Sequence, residues 1–390
     1  MKFIKRCCAY SFKIILTTLY FPASVILYFF NIKFIKIYAH AIGHLAVDTT
    51  IPLKEKIITR GSTRFIFFHT SKHIANKHLI KYIQLHACFV NNRLLGYLLL
   101  PFYWSKISGL NIEEVCISRN QTSKYIEINK NWDTPFFELF DEDINYGQSF
   151  LREIGFDNNW FVCLHARDSG FHKSRSSSDF GQEFRNNSIE NYKDAINYIL
   201  ANGGKCIRMG DPSMQKFDDI EGVYDYAHSG LKNDRLDIFL FASCKFSLCS
   251  SSGVIELSNL FGVPCAISNI IPISGMVHGI SKNVCISKLL YKNGELIPFA
   301  EILNQDVGNY RIGSLYSEAS IEVVENSSDE ILGLVKDLES FNFLDSYKAN
   351  ASILELEEKF LSLLKPGHYM YGGKARISHY FLKKYQDSIL

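Results

Sequence analysis

Phe161-Val162-Cys163-Leu164-His165-Ala166-Arg167-Asp168-Ser169-Gly170-Phe171 runs apolar through Leu164 and turns polar at His165. In an open α/β sheet, polar residues at the end of a buried strand face the crevice outside the carboxyl ends of the strands, where ligands bind. Arg167 offers a rigid fork of donors suited to phosphate, and His165 can donate to the same oxygens or move a proton. A charged loop that merely closes a core strand has the same pattern, so the short H-x-R element alone decides nothing.

Downstream, from Ile189 to Asn269, helical and strand-like segments alternate with short connections. Asn187 or Ser188 can cap a helix whose early turn holds Glu190 and whose apolar positions continue to Leu200, ending at Gly203-Gly204. Lys205–Met209 reads as a strand that leaves at the turn Gly210-Asp211-Pro212, and Gly222–Asp225 as another. Asp234–Ser243 is apolar at helical spacing, Lys245–Cys249 is strand-like, Val254–Leu260 helical, and Cys265–Ser268 strand-like again. This alternation predicts βαβ units and a parallel sheet.

Between two of these elements lies Ser250-Ser251-Ser252-Gly253. Small hydroxyl residues and glycine between a strand and a helix present free backbone N–H groups and the positive end of the helix dipole, an anion site. Glu256, one turn on, can accept from sugar or ribose hydroxyls. The bland alternative is a serine-rich helix cap and nothing more. Two anion-suited loops after parallel strands of one domain favour a shared ligand.

At this point the motifs resemble a known family. His165-Ala166-Arg167-Asp168, Arg185–Tyr192 (RNNSIENY), Ile207-Arg208-Met209-Gly210-Asp211 and Ser250–Gly253 followed by Phe261-Gly262-Val263-Pro264 resemble a family of bacterial glycosyltransferases associated with surface-polysaccharide genes. The H-x-R element is also similar to the donor-binding motif of fucosyltransferases that use GDP-fucose and have a GT-B-like fold. The fucosyltransferase pattern carries a second Arg and an Asp further along, and Asp168 stands one place off it. The resemblance is strongest over residues 160–270 and weaker at Ile42–Leu45 and Arg376–Ser378.

The composition fits such an enzyme. A chain of 390 residues suits two domains rather than one core. With Lys+Arg 42 against Asp+Glu 40, no basic domain or recognisable module points to nucleic acid as a partner. The ten cysteines include no C-x-x-C pair. Cys163, Cys206, Cys244, Cys249 and Cys265 lie in or beside apolar runs and read as buried free thiols in a reducing compartment.

The uncharged run Ile14–Phe30 contains Pro22 and is flanked by Lys2, Lys5, Arg6 and Lys13 before it and Lys33 and Lys36 after it. It sits at the lower edge of a membrane-spanning length, and both flanks are basic, so charge gives only a slight orientation. No clean signal-peptide cleavage site follows. The reading adopted is an amphipathic or re-entrant element on the cytoplasmic face, the alternative being a buried helix pair of the first domain.

Ile32–Tyr38 reads as the first strand of an N-terminal lobe, leading into Ala41-Ile42-Gly43-His44. The resemblance implies that this is an acceptor-side loop, with His44 as candidate base, although a lone His at a strand end is ordinarily structural. Phe65–Phe68 and Leu94–Leu100 look like strands, and His69, His73, His78 and His86 show no metal spacing. Residues 131–150, acidic and aromatic, suit the connection between lobes. The polar loop Ser169–Phe184 suits a lid in which Arg175 or Arg185 clamps a diphosphate. Ile353–Leu364 and His379–Leu390 read as terminal helices.

Together these give an α/β, GT-B-like protein: a membrane-associating segment at 1–30, an acceptor lobe at 31–145, a donor lobe at 146–350 with a cleft between the two Rossmann-like lobes, and C-terminal helices at 351–390. The expected activity is transfer of a sugar from a nucleotide-diphosphate donor to a glycan or lipid-linked oligosaccharide acceptor, with inversion and without a metal or cofactor, at the cytoplasmic face of a bacterial inner membrane. The expected donor contacts are His165, Arg167, Arg185, Arg208, Asp211, Ser250, Ser251, Ser252, Gly253 and Glu256; His44 and Asp168 are the candidate bases. A non-catalytic assembly factor on a degenerate transferase fold and another nucleotide-sugar enzyme such as an epimerase are the competing readings.

Overall fold

Phe161–His165 (β4), Phe246–Ser250 (β7) and Cys265–Ile270 (β8) are each buried along their whole length. Strands covered on both faces read as near-continuous apolar runs, which is why they were legible, and such strands belong to parallel sheets sandwiched by helices. The computed structural model describes residues 2–111, 124–132, 134–168, 170, 181–217, 220–344, 350–366 and 368–389, the stretch 2–9 as backbone only. These fall into two compact units, one holding the described residues up to Trp132 and the other those from Thr134 on.

In the second unit, seven strands form one sheet in the order β13-β9-β8-β7-β4-β5-β6, every pairing parallel. The remaining members are Lys205–Arg208 (β5), Val223–Tyr224 (β6), Val284–Ser287 (β9) and Arg376–Ile377 (β13). From β4 the chain moves outward to β5 and β6, then returns across β4 to lay β7 on its other side. β4 and β7 therefore flank the switch point of the sheet, with Cys163 opposite Ser247 in register. The polar Ser247 is tolerated in this core strand because its hydroxyl accepts from Ser258 at 2.8 Å.

Helices Lys193–Ala201 (α8), Asp234–Ser243 (α9) and Ile255–Leu260 (α10) fill the crossovers. Asn233 caps α9 by accepting from Arg235 and Leu236 amides at 3.1 and 3.0 Å. Gly262 closes α10 with a positive φ of 72°, and the Val263 amide reaches back to the Ser258 carbonyl at 3.0 Å, a C-terminal turn that only glycine enters cheaply. The unit also holds a small antiparallel sheet of Leu289–Lys292 (β10), Glu295–Leu296 (β11) and Ile321–Val324 (β12), the helix Ser328–Phe343 with its Ser327–Glu330 capping box, and the terminal helices Ala351–Leu363 and His379–Lys384.

Two expectations for this unit change. Residues 189–192 form a 3-10 turn, and the α-helix begins only at Lys193; Ser188 does cap the turn, accepting from the Glu190 amide at 3.2 Å. Residues 141–153, read as part of a connection, are a helix (α7) of this unit. Its acidic first turn suits the positive helix end, and its buried positions Asp143, Gly147, Phe150 and Leu151 follow helical spacing. The pattern was hidden because one of the core-facing residues is a charged one, Asp143, which bonds Arg235 of α9.

The first unit holds a smaller parallel sheet, Ile32–Lys36 (β1), Arg64–Phe68 (β2) and Cys88–Val90 (β3), in sequence order. Helix Ile42–Ile58 (α3) connects the first two strands and buries Leu45, Ala46, Thr49, Ile51 and Leu53. Leu94–Leu100, expected as a strand, lies in the helix Arg93–Trp104 (α5). A short apolar run fits either element by periodicity. The decision falls to Asn92, whose side chain accepts from both Leu94 and Leu95 amides at 2.9 and 3.1 Å, and to leucines that lack β-branching.

The N-terminal run forms two helices, Lys2–Leu19 (α1) and Phe21–Phe29 (α2), bent by 55° at Tyr20. No single described helix is long and apolar enough to cross a membrane, while the bent pair passes by length and composition. A buried helix pair is not what forms: Phe12, Ile15, Leu19, Phe29 and Phe30 are all exposed. Cys163, Cys206, Cys244, Cys249 and Cys265 are buried free thiols, and burial pushes the Cys206 thiol up to about 12.

Candidate functional site

At the carboxyl ends of β4 and β7, four of the expected contacts interlock through single hydrogen bonds. The Arg167 amide donates to the Ser250 hydroxyl at 2.8 Å, and the Ser252 hydroxyl lies 3.3 Å from His165 Nδ1. Arg185 reaches the same turn, its Nη2 donating to the Ser251 carbonyl at 3.1 Å. The loop carrying Arg185 is pinned back on β4 by the Asn187 amide, which donates to the Arg167 carbonyl at 2.9 Å. His165, Arg167, Arg185 and Ser250–Gly253 thus line one place, the switch point of the sheet.

The electrostatics there favour an anion. Burial, then the Arg208 and Arg167 guanidiniums, hold His165 down at about 4, so it is neutral at pH 7 and carries one N–H donor. Arg167 and Arg185 supply two permanent positive charges. Lys288, directly after β9, adds a third cation behind the Arg185 loop, donating to the Asn186 carbonyl. Burial pushes its ammonium down to about 8, against the pull of Glu325. The helix after the serine turn, α10, has only six residues, so backbone amides rather than a long dipole are what that turn offers.

Asn187 is a residue that sequence reasoning saw only as a cap. It is buried, and neither its amide nitrogen nor its amide oxygen has a hydrogen-bond partner among the described residues. Such a group costs roughly 1–3 kcal/mol. An orphaned donor-acceptor pair beside the Arg167 backbone is what a ligand with both functions would satisfy.

Other expected contacts are spent elsewhere. Arg208 is buried, and its Nη1 pairs Asp225 at 3.3 Å while Nη2 holds the Gln215 carbonyl. His228 bridges the same carboxylate at 2.9 Å. Arg208 is thus a structural ion pair under β5 and β6 rather than a presented ligand group. Asp211 accepts from Ser213 amide and hydroxyl, at 3.1 and 2.6 Å, and shapes its own turn. Glu256, expected to read hydroxyls, is held by His278 at 2.6 Å and by Asn259 at 3.3 Å.

This assignment has a measurable consequence. Removing one member of a buried pair leaves an uncompensated charge, so Arg208→Met is expected to lower unfolding stability by about 3 kcal/mol. Urea denaturation measures it, and the folded variant keeps its ligand affinity. A stable Arg208→Met protein with lost affinity would return Arg208 to the site.

Asp168 braces two loops. Its Oδ1 accepts from the Gly170 amide and its Oδ2 from the Gln215 amide, each at 2.7 Å. A carboxylate that holds a backbone amide at each oxygen acts first as a positioning group. Arg175 and most of the expected lid, 169 and 171–180, lie outside the described residues.

His44 lies in the other unit, in the first turn of α3, with its side chain 49% exposed. Its Nδ1 meets Oδ2 of buried Asp48 at 3.1 Å, one helical turn on. That hydrogen bond, partly opposed by burial, raises the His44 pKa; burial likewise raises that of Asp48. A carboxylate on one ring nitrogen fixes the tautomer that leaves the other free to take a proton, the arrangement of a general base. Sequence reasoning named His44 and missed Asp48. The signal was there: His-x-x-x-Asp places both on one face once the segment is helical.

No family model matches this chain, and no curated protein matches its sequence. Among solved structures it is similar to a glycosyltransferase family 9 protein of Veillonella parvula DSM 2008, at 10% identity and a TM-score of 0.39, over 60% of this chain and 79% of that one. It is similar to the ADP-heptose lipopolysaccharide heptosyltransferase II of E. coli at 10% identity and a TM-score of 0.42, over 60% and 84%. The iron-containing dodecameric glycosyltransferase TibC of enterotoxigenic E. coli aligns at 10% identity and a TM-score of 0.34, over 60% and 58%. These partial superpositions carry no chemistry to the residues of this chain.

Proposed function

We propose that this protein is a GT-B-like glycosyltransferase that moves a sugar from a nucleoside-diphosphate donor to a glycan or lipid-linked acceptor hydroxyl. The observation that carries the reading is the convergence of Arg167, Arg185, the Ser250–Gly253 turn and orphaned Asn187 at the β4–β7 switch point. Two guanidiniums and a turn rich in backbone amides suit a diphosphate, and negative charge grows on that diphosphate as the sugar leaves.

In the proposed step the acceptor oxygen bonds the sugar's anomeric carbon as the bond from that carbon to the diphosphate breaks. The acceptor's proton passes to His44, and the nucleoside diphosphate leaves held by Arg167 and Arg185. Single displacement inverts the anomeric centre. Residues 1–30 would hold the protein at the cytoplasmic face of a bacterial inner membrane, where nucleotide sugars are made, and the acceptor would be a surface glycan or its lipid-linked precursor.

A thermal-shift screen of the full chain against GDP, UDP, ADP, CMP and dTDP tests the donor half. Ligand at 100 times its dissociation constant adds about 2.7 kcal/mol, several degrees in a protein of this size. Stabilisation by one nucleotide, followed by product analysis showing glycosidic transfer from its sugar, is the expected result. No shift with any nucleotide overturns the proposal.

Asn187 gives a sharper check. Asn187→Leu removes an unpaired buried amide at similar volume, so the unliganded protein is expected to keep or gain stability while nucleotide affinity falls 10- to 100-fold. Melting curves with and without nucleotide read both quantities at once. A destabilised variant with unchanged affinity would make Asn187 structural.

A further inference from the structure

The first two turns of α5 present a face of large apolar side chains to solvent: Leu94 is 76% exposed, Leu98 59%, Leu95 51% and Tyr97 45%. The helix is held in this orientation. On the opposite face Gly96 packs so close to the His69 carbonyl that an added Cβ would stand 1.9 Å from that oxygen, and further along the helix Phe102 stacks on Phe34 with ring centroids 4.9 Å apart. Rotating the helix to hide its leucines would break both contacts, so their exposure is built in.

This face has a neighbour of the same character. α1 packs beside α5, with the Tyr20 ring 5.1 Å from that of Phe102 and the Lys13 ammonium 5.6 Å over Trp104. α1 and α2 expose Phe12, Ile15, Leu19, Phe29 and Phe30 of their own. In sequence, the charges flanking these helices are of one sign. Lys2, Lys5, Arg6, Lys13, Lys33 and Lys36 precede the first acidic residue of the chain, Asp48, and Arg93 and Lys106 flank α5 with no acidic residue between Ala87 and Asn111.

We infer that α5 is a second membrane-seating element, which with α1 and α2 forms one face of the first unit that rests on an anionic lipid surface. The inference extends the membrane reading of residues 1–30 to a helix that the sequence read as a strand. Apolar side chains inside a basic rim match the two terms of interfacial binding, burial at the acyl boundary and attraction to anionic headgroups. A second copy of the chain fits worse, because a two-fold contact would set the lysines and arginines of one copy against those of the other.

The test is co-sedimentation of the full chain with phosphatidylcholine vesicles, with and without phosphatidylglycerol. One variant carries Leu94→Gln, Leu95→Gln and Leu98→Gln, glutamine being a good helix former at exposed positions. A second carries Ile15→Gln, Leu19→Gln and Phe29→Gln, which tests residues 1–30 alone. The expected result is wild-type binding that strengthens with phosphatidylglycerol and weakens at least tenfold in the α5 variant, with an unchanged melting midpoint showing that it is folded. An α5 variant that binds like wild type overturns the role of α5, even where the second variant is released. Wild-type protein that self-associates through these leucines and ignores vesicles overturns it in favour of a second copy.

Discussion

Replacing Arg167 by lysine is expected to weaken nucleoside-diphosphate binding by 10- to 100-fold without unfolding the protein. Arg167 stands just past the end of β4, and its backbone is clamped on both sides, the amide by Ser250 and the carbonyl by Asn187. Lysine keeps the positive charge and the backbone contacts but cannot make two parallel N–H···O bonds to one phosphate. Losing one charge-assisted hydrogen bond is worth about 1.5–3 kcal/mol, which sets the range. Calorimetric titration with the nucleotide found in the thermal-shift screen measures it. Unchanged affinity in a folded Arg167→Lys protein would take Arg167 out of the site, and the diphosphate reading would then rest on Arg185 alone.

Arg167 and Arg208 look alike in sequence and differ in the partners the fold gives them. Both end a buried strand of one parallel sheet, and a strand end is all that the pattern shows. The partner that neutralises Arg208, Asp225, arrives only when β6 pairs with β5 and brings it within 3.3 Å. Glu256 was misread for the same reason, since His278 comes back to it from beyond β8. The parallel strands themselves were easy because burial on both faces writes an apolar run, whereas α5 was not, because an apolar run exposed on one side looks the same in sequence as a buried one. Asn187 was invisible for a further reason. An asparagine before a helix is ordinarily a cap, and only the structure shows that Ser188 takes that duty and leaves the Asn187 amide without a partner among the described residues.

The base should show itself in turnover and in its pH dependence. His44→Ala is expected to lower kcat by 10²–10⁴, the usual worth of a positioned base, with donor affinity near wild type. In wild type the rate should fall as pH drops through the His44 pKa, because only the neutral ring accepts a proton. That pKa stands above the ordinary value of about 6.5, since the Asp48 hydrogen bond favours the charged ring. Asp48→Asn removes the negative charge and lets an amide NH2 as well as an amide oxygen face Nδ1. The acid limb is therefore expected to move to lower pH, while the plateau rate drops because the ring no longer holds one tautomer. A purely structural Asp48 would change stability and leave the limb in place. Asp168→Asn serves as the contrast: an NH2 replaces one of its two accepting oxygens, so the Gly170 or the Gln215 amide loses its acceptor and the cost should fall on donor affinity or stability rather than turnover. Turnover lost in Asp168→Asn at unchanged donor affinity, with His44→Ala fully active, would transfer the base to the carboxylate after the H-x-R element and leave the His44–Asp48 pair as a helix-surface contact.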